Sequence, residues 1–310
     1  MTAWTSFLSG TWATGANWTG GVAPNGVTAW AEFTALPGSN SPDAVVSVTA
    51  GSTVTLDHLT MSANAYGRYV IRRASTGTGD ATLNFNGTGG SAITINGSGI
   101  STIGNYSATQ RLNINLGTNT DVSIGGGAQL VTNSLITGTG RLTLSGGGFL
   151  ELTGTIANTY SGGTEIDEGT LGISASGALG TGTLAFGGSG RAGGYQTRLV
   201  AHADATLTND ITFNRDVDVV IEADHGVTLT LDPNVMNVTN PSRTITFGES
   251  GHDGTVVFGG STSRWAYTYD DPYIVVAAGT LRLAGNMGPM LLQSATRTTV
   301  NAGATLEVPV

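Results

Sequence analysis

Between Gly138 and Phe186 the chain runs through short apolar alternations, broken at close intervals by glycine, asparagine and serine. Leu142 and Leu144, Leu150 and Leu152, Leu171 and Ile173, and Leu184 and Phe186 stand two apart, with Ile166 between them. That is the period of a strand with one face buried. No helical period competes with it. Gly146-Gly147-Gly148, Gly162-Gly163, Gly169, Gly177 and Gly180 mark corners, where the chain turns with positive φ or in little space. Hairpins would also satisfy the alternation, but similar phrases recurring after short corners point to coils wound onto one another, a β-solenoid.

The same stretch carries a family resemblance. Tyr160-Ser161-Gly162-Gly163-Thr164, then Glu168-Gly169-Thr170-Leu171, then Ala178-Leu179-Gly180-Thr181-Gly182-Thr183-Leu184 resembles the autotransporter-associated β-strand repeat of bacterial passenger domains. The close match covers roughly a tenth of the chain, with weaker echoes over most of it. The resemblance implies an all-β, single-stranded right-handed parallel β-helix. It implies no chemistry, because the repeat builds shafts.

Composition agrees with a folded β protein. Glycine, at 48 residues, is about twice its usual share, yet there are 8 prolines and no triplet period, so collagen is excluded. Charged residues are 11%, less than half the usual share, which leaves Thr, Ser, Asn and Gly to dress the surface. A net charge of −9, with a pI near 4.7 and no basic tract, disfavours nucleic acid as a partner. The absence of cysteine removes disulfides and thiolate metal sites. All 12 basic residues are Arg. The opening MTAWTSFLSGTWATG lacks a basic n-region and an apolar run, so a chain beginning at Met1 is not expected to use the ordinary secretory route. No stretch approaches the roughly 18 apolar residues of a membrane span.

Residues 1–36 hold Trp4, Trp12, Trp18 and Trp30, four of the five tryptophans. With Gly15, Asn17, Gly20-Gly21 and Pro24 they resemble the segment that precedes passenger-type β-helices. A solenoid end exposes an edge and an open core, so this segment reads as a Trp-rich N-terminal cap, with residues 37–310 forming the solenoid. A subunit contact and a sugar-stacking site are the alternatives.

From Asp43 to Val131 alternating strands again pair with Asn- or Gly-bearing corners. Asn84, Asn86, Asn96, Asn113 and Asn115 read as turn formers or as ladders along the stack. An internal echo supports repetition: Thr55-Leu56-Asp57 followed by Met61 recurs as Thr230-Leu231-Asp232 followed by Met236.

Parallel β-helices also host polysaccharide-cleaving enzymes, so acidic pairs need weighing. Glu165, Asp167 and Glu168 form one cluster and Glu222, Asp224 and His225 another; His252-Asp253 and Asp270-Asp271 are two more. Glycosidic cleavage needs two carboxyls about 5–10 Å apart, and Glu165 and Asp167 share a strand face at roughly 6.5–7 Å. They fall at variable positions of the repeat, where a solvated face is expected. Asp224-His225-Gly226 reads as a corner. No GGxGxD nonapeptide, HExxH, EF-hand, phosphate loop or nucleophile elbow occurs. The expectation is no enzyme, no metal and no cofactor.

Arg264-Trp265-Ala266-Tyr267-Thr268-Tyr269-Asp270-Asp271-Pro272-Tyr273 breaks the Thr/Gly pattern. Such an interruption reads as a loop leaving the coil, and loops on rigid scaffolds bind. Arg264, Trp265, Tyr267, Tyr269 and Tyr273 are the candidate partner-binding residues; the alternatives are a loop folded back on its own shaft and a carbohydrate contact. The expected role is a structural or adhesive β-helix in a homo-oligomer, contacting its own subunits, capsid or tail proteins, or a cell-surface receptor. A phage virion component on the virion surface (capsid decoration, spike or tail) fits a chain that opens without a signal and closes without a barrel. An autotransporter passenger or other adhesin, on the bacterial cell surface or secreted, is the alternative, and a polysaccharide depolymerase the third.

Overall fold

The computed structural model describes residues 1–5, 7–35, 43–104, 109–188, 196–214, 217–238, 244–259, 264–267, 273–284 and 297–308. Apart from short 3₁₀ turns such as Gly15–Asn17, these residues form strands and corners, and the strand ladders are parallel: the chain is a parallel β-helix. It forms two compact units, Met1–Gly162 and Gly163–Val310.

In the N-terminal unit the chain winds round three faces. The first stacks Thr2–Ala3, Trp30–Phe33, His58–Ala63, Ser91–Gly97, Thr120–Ile124 and Leu142–Ser145. The second stacks Gly10–Thr11, Ala44–Val48, Tyr69–Arg73, Ile100–Ile103, Gln129–Thr132 and Phe149–Leu152. The third stacks Thr53–Leu56, Ala81–Phe85, Leu112–Leu116 and Ile136–Gly138. The step from one rung to the next varies. Gln129 pairs with Phe149, whereas His58 pairs with Ala92, because loops are inserted at the corners without disturbing the ladders.

The alternation is obeyed in detail. Leu142, Leu144 and Leu152 are buried in this unit, and Ile166, Leu171, Ile173, Leu184 and Phe186 in the other. Phe186 and Phe213 occupy the same position on successive coils and stack at 5.2 Å. The Thr-Leu-Asp echo marks equivalent corners: Leu56 and Met61, like Leu231 and Met236, are fully buried on either side of a turn between two strands. In the Tyr160-Ser161-Gly162-Gly163-Thr164 phrase Tyr160 is buried. A Cβ at Gly162 would lie 2.3 Å from the Gly140 carbonyl carbon, so only glycine lets the coils approach there.

Outside the core, the third face carries a side-chain ladder. Thr55, Asn84, Asn115 and Thr137 are in register on four rungs. Asn84 Nδ2 donates to Thr55 Oγ1 (3.3 Å), Asn115 Nδ2 to Asn84 Oδ1 (2.7 Å), and Thr137 Oγ1 to Asn115 Oδ1 (3.1 Å). Asn113 instead reaches Asp80, and Asn96 is exposed.

Three of the four N-terminal tryptophans pack inward. Trp4 and Trp12 each lie 4.9 Å from Trp18, and all three rings lie within 5.7 Å of Phe33. Each indole N–H donates to a carbonyl, at Leu8, Pro24 and Trp12 respectively, so the burial leaves no donor unmet. Thr2–Ala3 and Gly10–Thr11 are the outermost rungs of their ladders. Trp30 departs from this group. It points outward from Trp30–Phe33, stacks on His58 at 4.1 Å and donates to Asp57 Oδ2. Tyr69 extends the inner cluster beside Phe33, and burial pushes its hydroxyl up to about 12.

The C-terminal unit also has three faces. One stacks Thr164–Ile166, Leu184–Phe186, Ile211–Phe213, Val235–Val238 and Arg264–Tyr267. The next stacks Gly169–Ile173, Gln196–Ala201, the first half of Asp218–Leu231, Thr244–Phe247, Tyr273–Val276 and Thr298–Val300. The last stacks Ala205–Leu207, the second half of Asp218–Leu231, Asp253–Phe258, Thr280–Leu283 and Thr305–Glu307.

Candidate functional site

The strand Asp218–Leu231 bends where two faces meet, with its register shifting between Ala223 and Thr228. Gly226 takes φ +77° at the bend, a conformation costly for any residue with a Cβ. Val219, Ile221 and Ala223 point inward, so Glu222 and Asp224 point outward just before the corner. The same corner on the coils either side supplies His202 and His252.

The Asp224 carboxylate therefore sits between two imidazoles, accepting from His202 Nδ1 at 2.9 Å and from His252 Nδ1 at 2.6 Å. An ionised carboxylate only accepts, which fixes both rings with the proton on Nδ1. Beside it, Arg198 donates to Glu222 Oε1 (2.6 Å) and to Glu249 Oε2 (2.7 Å), across three coils. Glu222 is fully buried although it points outward, and its Oε2 has no hydrogen-bond partner. His225 and Asp253 form an exposed pair next to the group at 3.0 Å.

The two acids respond to this setting in opposite directions. Burial pushes the Glu222 carboxyl above its ordinary value, outweighing the bond and charge of Arg198. For Asp224 burial also acts upward, but the bonds from His202 and His252 win and hold it below the usual carboxylate value. A carboxyl lowered on folding adds stability above its unfolded value of about 3.9 and loses it as pH falls through the folded value. Asp224→Asn should therefore flatten the acid limb of the stability profile below about pH 4, read by urea unfolding at a series of pH values. An unchanged limb would show that the imidazoles do not hold this carboxylate.

Of the acidic clusters visible in sequence, Glu165 is placed differently from expectation. It is buried, not solvated, because the chain at Gly188 crosses over it. The Gly188 N–H donates to Asp167 Oδ1 at 2.7 Å. Asp270 and Asp271 lie outside the described residues. What the sequence did not reveal was that Arg198 and His202 from one coil and Glu249 and His252 from another join Glu222 and Asp224 on the coil between them.

The candidate partner-binding segment is only partly a loop. Arg264–Tyr267 is a rung in register with Val235–Val238, and Tyr273 opens the strand Tyr273–Val276. The alternation of Arg-Trp-Ala-Tyr is itself strand-like, which is why backbone pairing captures it. Tyr273 is exposed, with the Arg297 guanidinium 5.4 Å from its ring centre. Tyr269 lies outside the described residues.

A second surface lies on the second face of the N-terminal unit. Val45, Val70, Thr102 and Val131 are in register and point outward, an apolar column on a shaft whose other outward positions are mostly polar. A groove of about 290 Å³ runs over Val70, Thr102 and Val131, edged by Arg68, Ile100 and Gln129. A second hollow of about 380 Å³ shares Arg68 and Ile100 and extends past Tyr66 to Asp43. Tyr66 is 58% exposed and Ile100 39%. Arg68 Nε donates to Asp43 Oδ2 at 2.9 Å, with both side chains about two-fifths exposed.

Among the described residues, no group of three or more His, Asp or Glu is arranged to hold a metal ion, and no helix is long and apolar enough to cross a membrane. No protein-family model, no curated protein and no solved structure matches the chain.

Proposed function

We infer that the chain is a non-enzymatic structural and adhesive β-helix, a shaft used in several copies and carrying contact surfaces on its coils. The observation that carries this is the Thr55–Asn84–Asn115–Thr137 ladder, in which outward side chains of four rungs bond to one another and stiffen the outside of the coil as packing stiffens the inside. The acids support the non-enzymatic reading. Glu222 is buried against Arg198, and Asp224 is engaged by two imidazoles. The setting proposed first is a phage virion component, with a bacterial passenger or surface adhesin second and a depolymerase third.

Contacts to further copies or to a receptor are assigned to Arg264, Trp265, Tyr267, Tyr269 and Tyr273, since aromatics and arginine dominate protein interfaces. Trp265→Ala combined with Tyr269→Ala should weaken assembly, measured by sedimentation, and attachment to cells or particles by at least about tenfold. Parental behaviour from the double variant would remove these residues from the contact. A parent chain that neither assembles nor attaches would reject the shaft reading. Polysaccharide cleavage abolished by Glu165→Gln with Asp167→Asn would install the depolymerase instead.

A further inference from the structure

We propose that the groove on the second face of the N-terminal unit is a binding site for a neutral oligosaccharide. Its floor is the apolar column of Val70 and Val131 with Thr102 between them, a narrow strip that matches the C–H face of a pyranose ring. Tyr66 offers an exposed ring at the edge for a second stacking contact, apolar on its face and polar at its tip.

The polar groups suit vicinal hydroxyls. Arg68 and Asp43 are held together at 2.9 Å, so a planar donor fork and a carboxylate acceptor stand side by side in a fixed geometry. Their charges cancel and, among the described residues, no other charged side chain lines the two hollows, so the site favours a neutral ligand. Each hollow lies near the lower end of the roughly 300–1,000 Å³ usual for small-ligand sites.

Size argues against a protein occupant. The column crosses rungs roughly 4.8 Å apart, and from Val70 to Val131 spans only about 10 Å. A stable protein interface needs about 800 Å² on each partner.

The proposal deepens the adhesive part of the function proposed above, and the two fail separately. The test is calorimetric titration of the full chain with cellotetraose, maltotetraose and mannotetraose, with trigalacturonate as the charged counterpart. At least one neutral sugar should bind saturably at about 1 mM or tighter. Tyr66→Ala and Arg68→Ala should each weaken that binding about tenfold or more, with the circular dichroism of the coil unchanged. Val300→Ala, at an exposed apolar side chain in the other unit, should leave it intact. No saturable binding of any neutral sugar, binding indifferent to both groove variants, or tighter binding of trigalacturonate each overturns the site. A chain that attaches to cells but binds no sugar rejects the groove and keeps adhesion. One that binds sugar without assembling or attaching does the reverse.

Discussion

Arg198→Met is expected to lower the unfolding free energy by about 3–5 kcal/mol, the cost of leaving a buried charge without its partner. Glu222 is fully buried, and Arg198 is the cation that bonds it. Without the guanidinium, the carboxylate keeps its desolvation penalty and only the weaker influence of His252 remains to oppose it. The loss should shrink as pH falls. A carboxyl already raised by burial contributes stability below its unfolded value of about 4.3, and that contribution disappears as pH rises through the folded value.

Adding Glu222→Leu to Arg198→Met should recover most of the loss, because apolar groups of similar volume replace a buried pair at little cost. Glu249 adds little to the loss, because it is partly exposed and water replaces Arg198 around it. Urea midpoints of parent, single and double variants decide the matter. A single variant as stable as the parent would mean that Glu222 is not ionised against Arg198 at all.

Trp18→Ala carries the second large effect, about 3–5 kcal/mol for emptying a fully buried aromatic site. Trp18 touches Trp4, Trp12 and Phe33, and its indole bonds the Trp12 carbonyl, so no neighbour moves into the space without losing its own contacts. Trp30→Ala is the matched control. That ring is outward, resting on His58, and its removal should cost about 1 kcal/mol or less. In a coil stack each rung leans on the next, so loss of the tryptophan cluster should be followed by exposure of the Trp30–Phe33 edge and by association. Equal midpoints for the two variants would contradict the distinction between an inner cluster and an outer tryptophan.

Residue by residue, the inside of this protein was legible and much of the outside was not. Leu142, Leu144, Ile166, Leu171, Leu184 and Phe186 announce their burial through neighbours two positions away, a local signal that any strand pairing preserves. Tyr160-Ser161-Gly162-Gly163-Thr164 announces a corner for the same reason: close approach and turning are properties of the few residues concerned. The tryptophans show where that legibility stops. Trp30 belongs to the same N-terminal segment as Trp4, Trp12 and Trp18, yet points outward from its strand because it is one residue out of phase with Ala31 and Phe33.

The sequence by itself thus determined that the chain coils, which residues fill the coil and where it turns, since each depends on spacing within one strand or one corner. Only the tertiary structure decided which outward groups meet. His202, Asp224 and His252, or Val70, Thr102 and Val131, come together across steps of 22 to 32 residues, whose lengths change from coil to coil with the loops inserted at the corners. An outward residue has no local pattern to name its neighbour; the neighbour is set by how many residues the previous turn of the helix consumed.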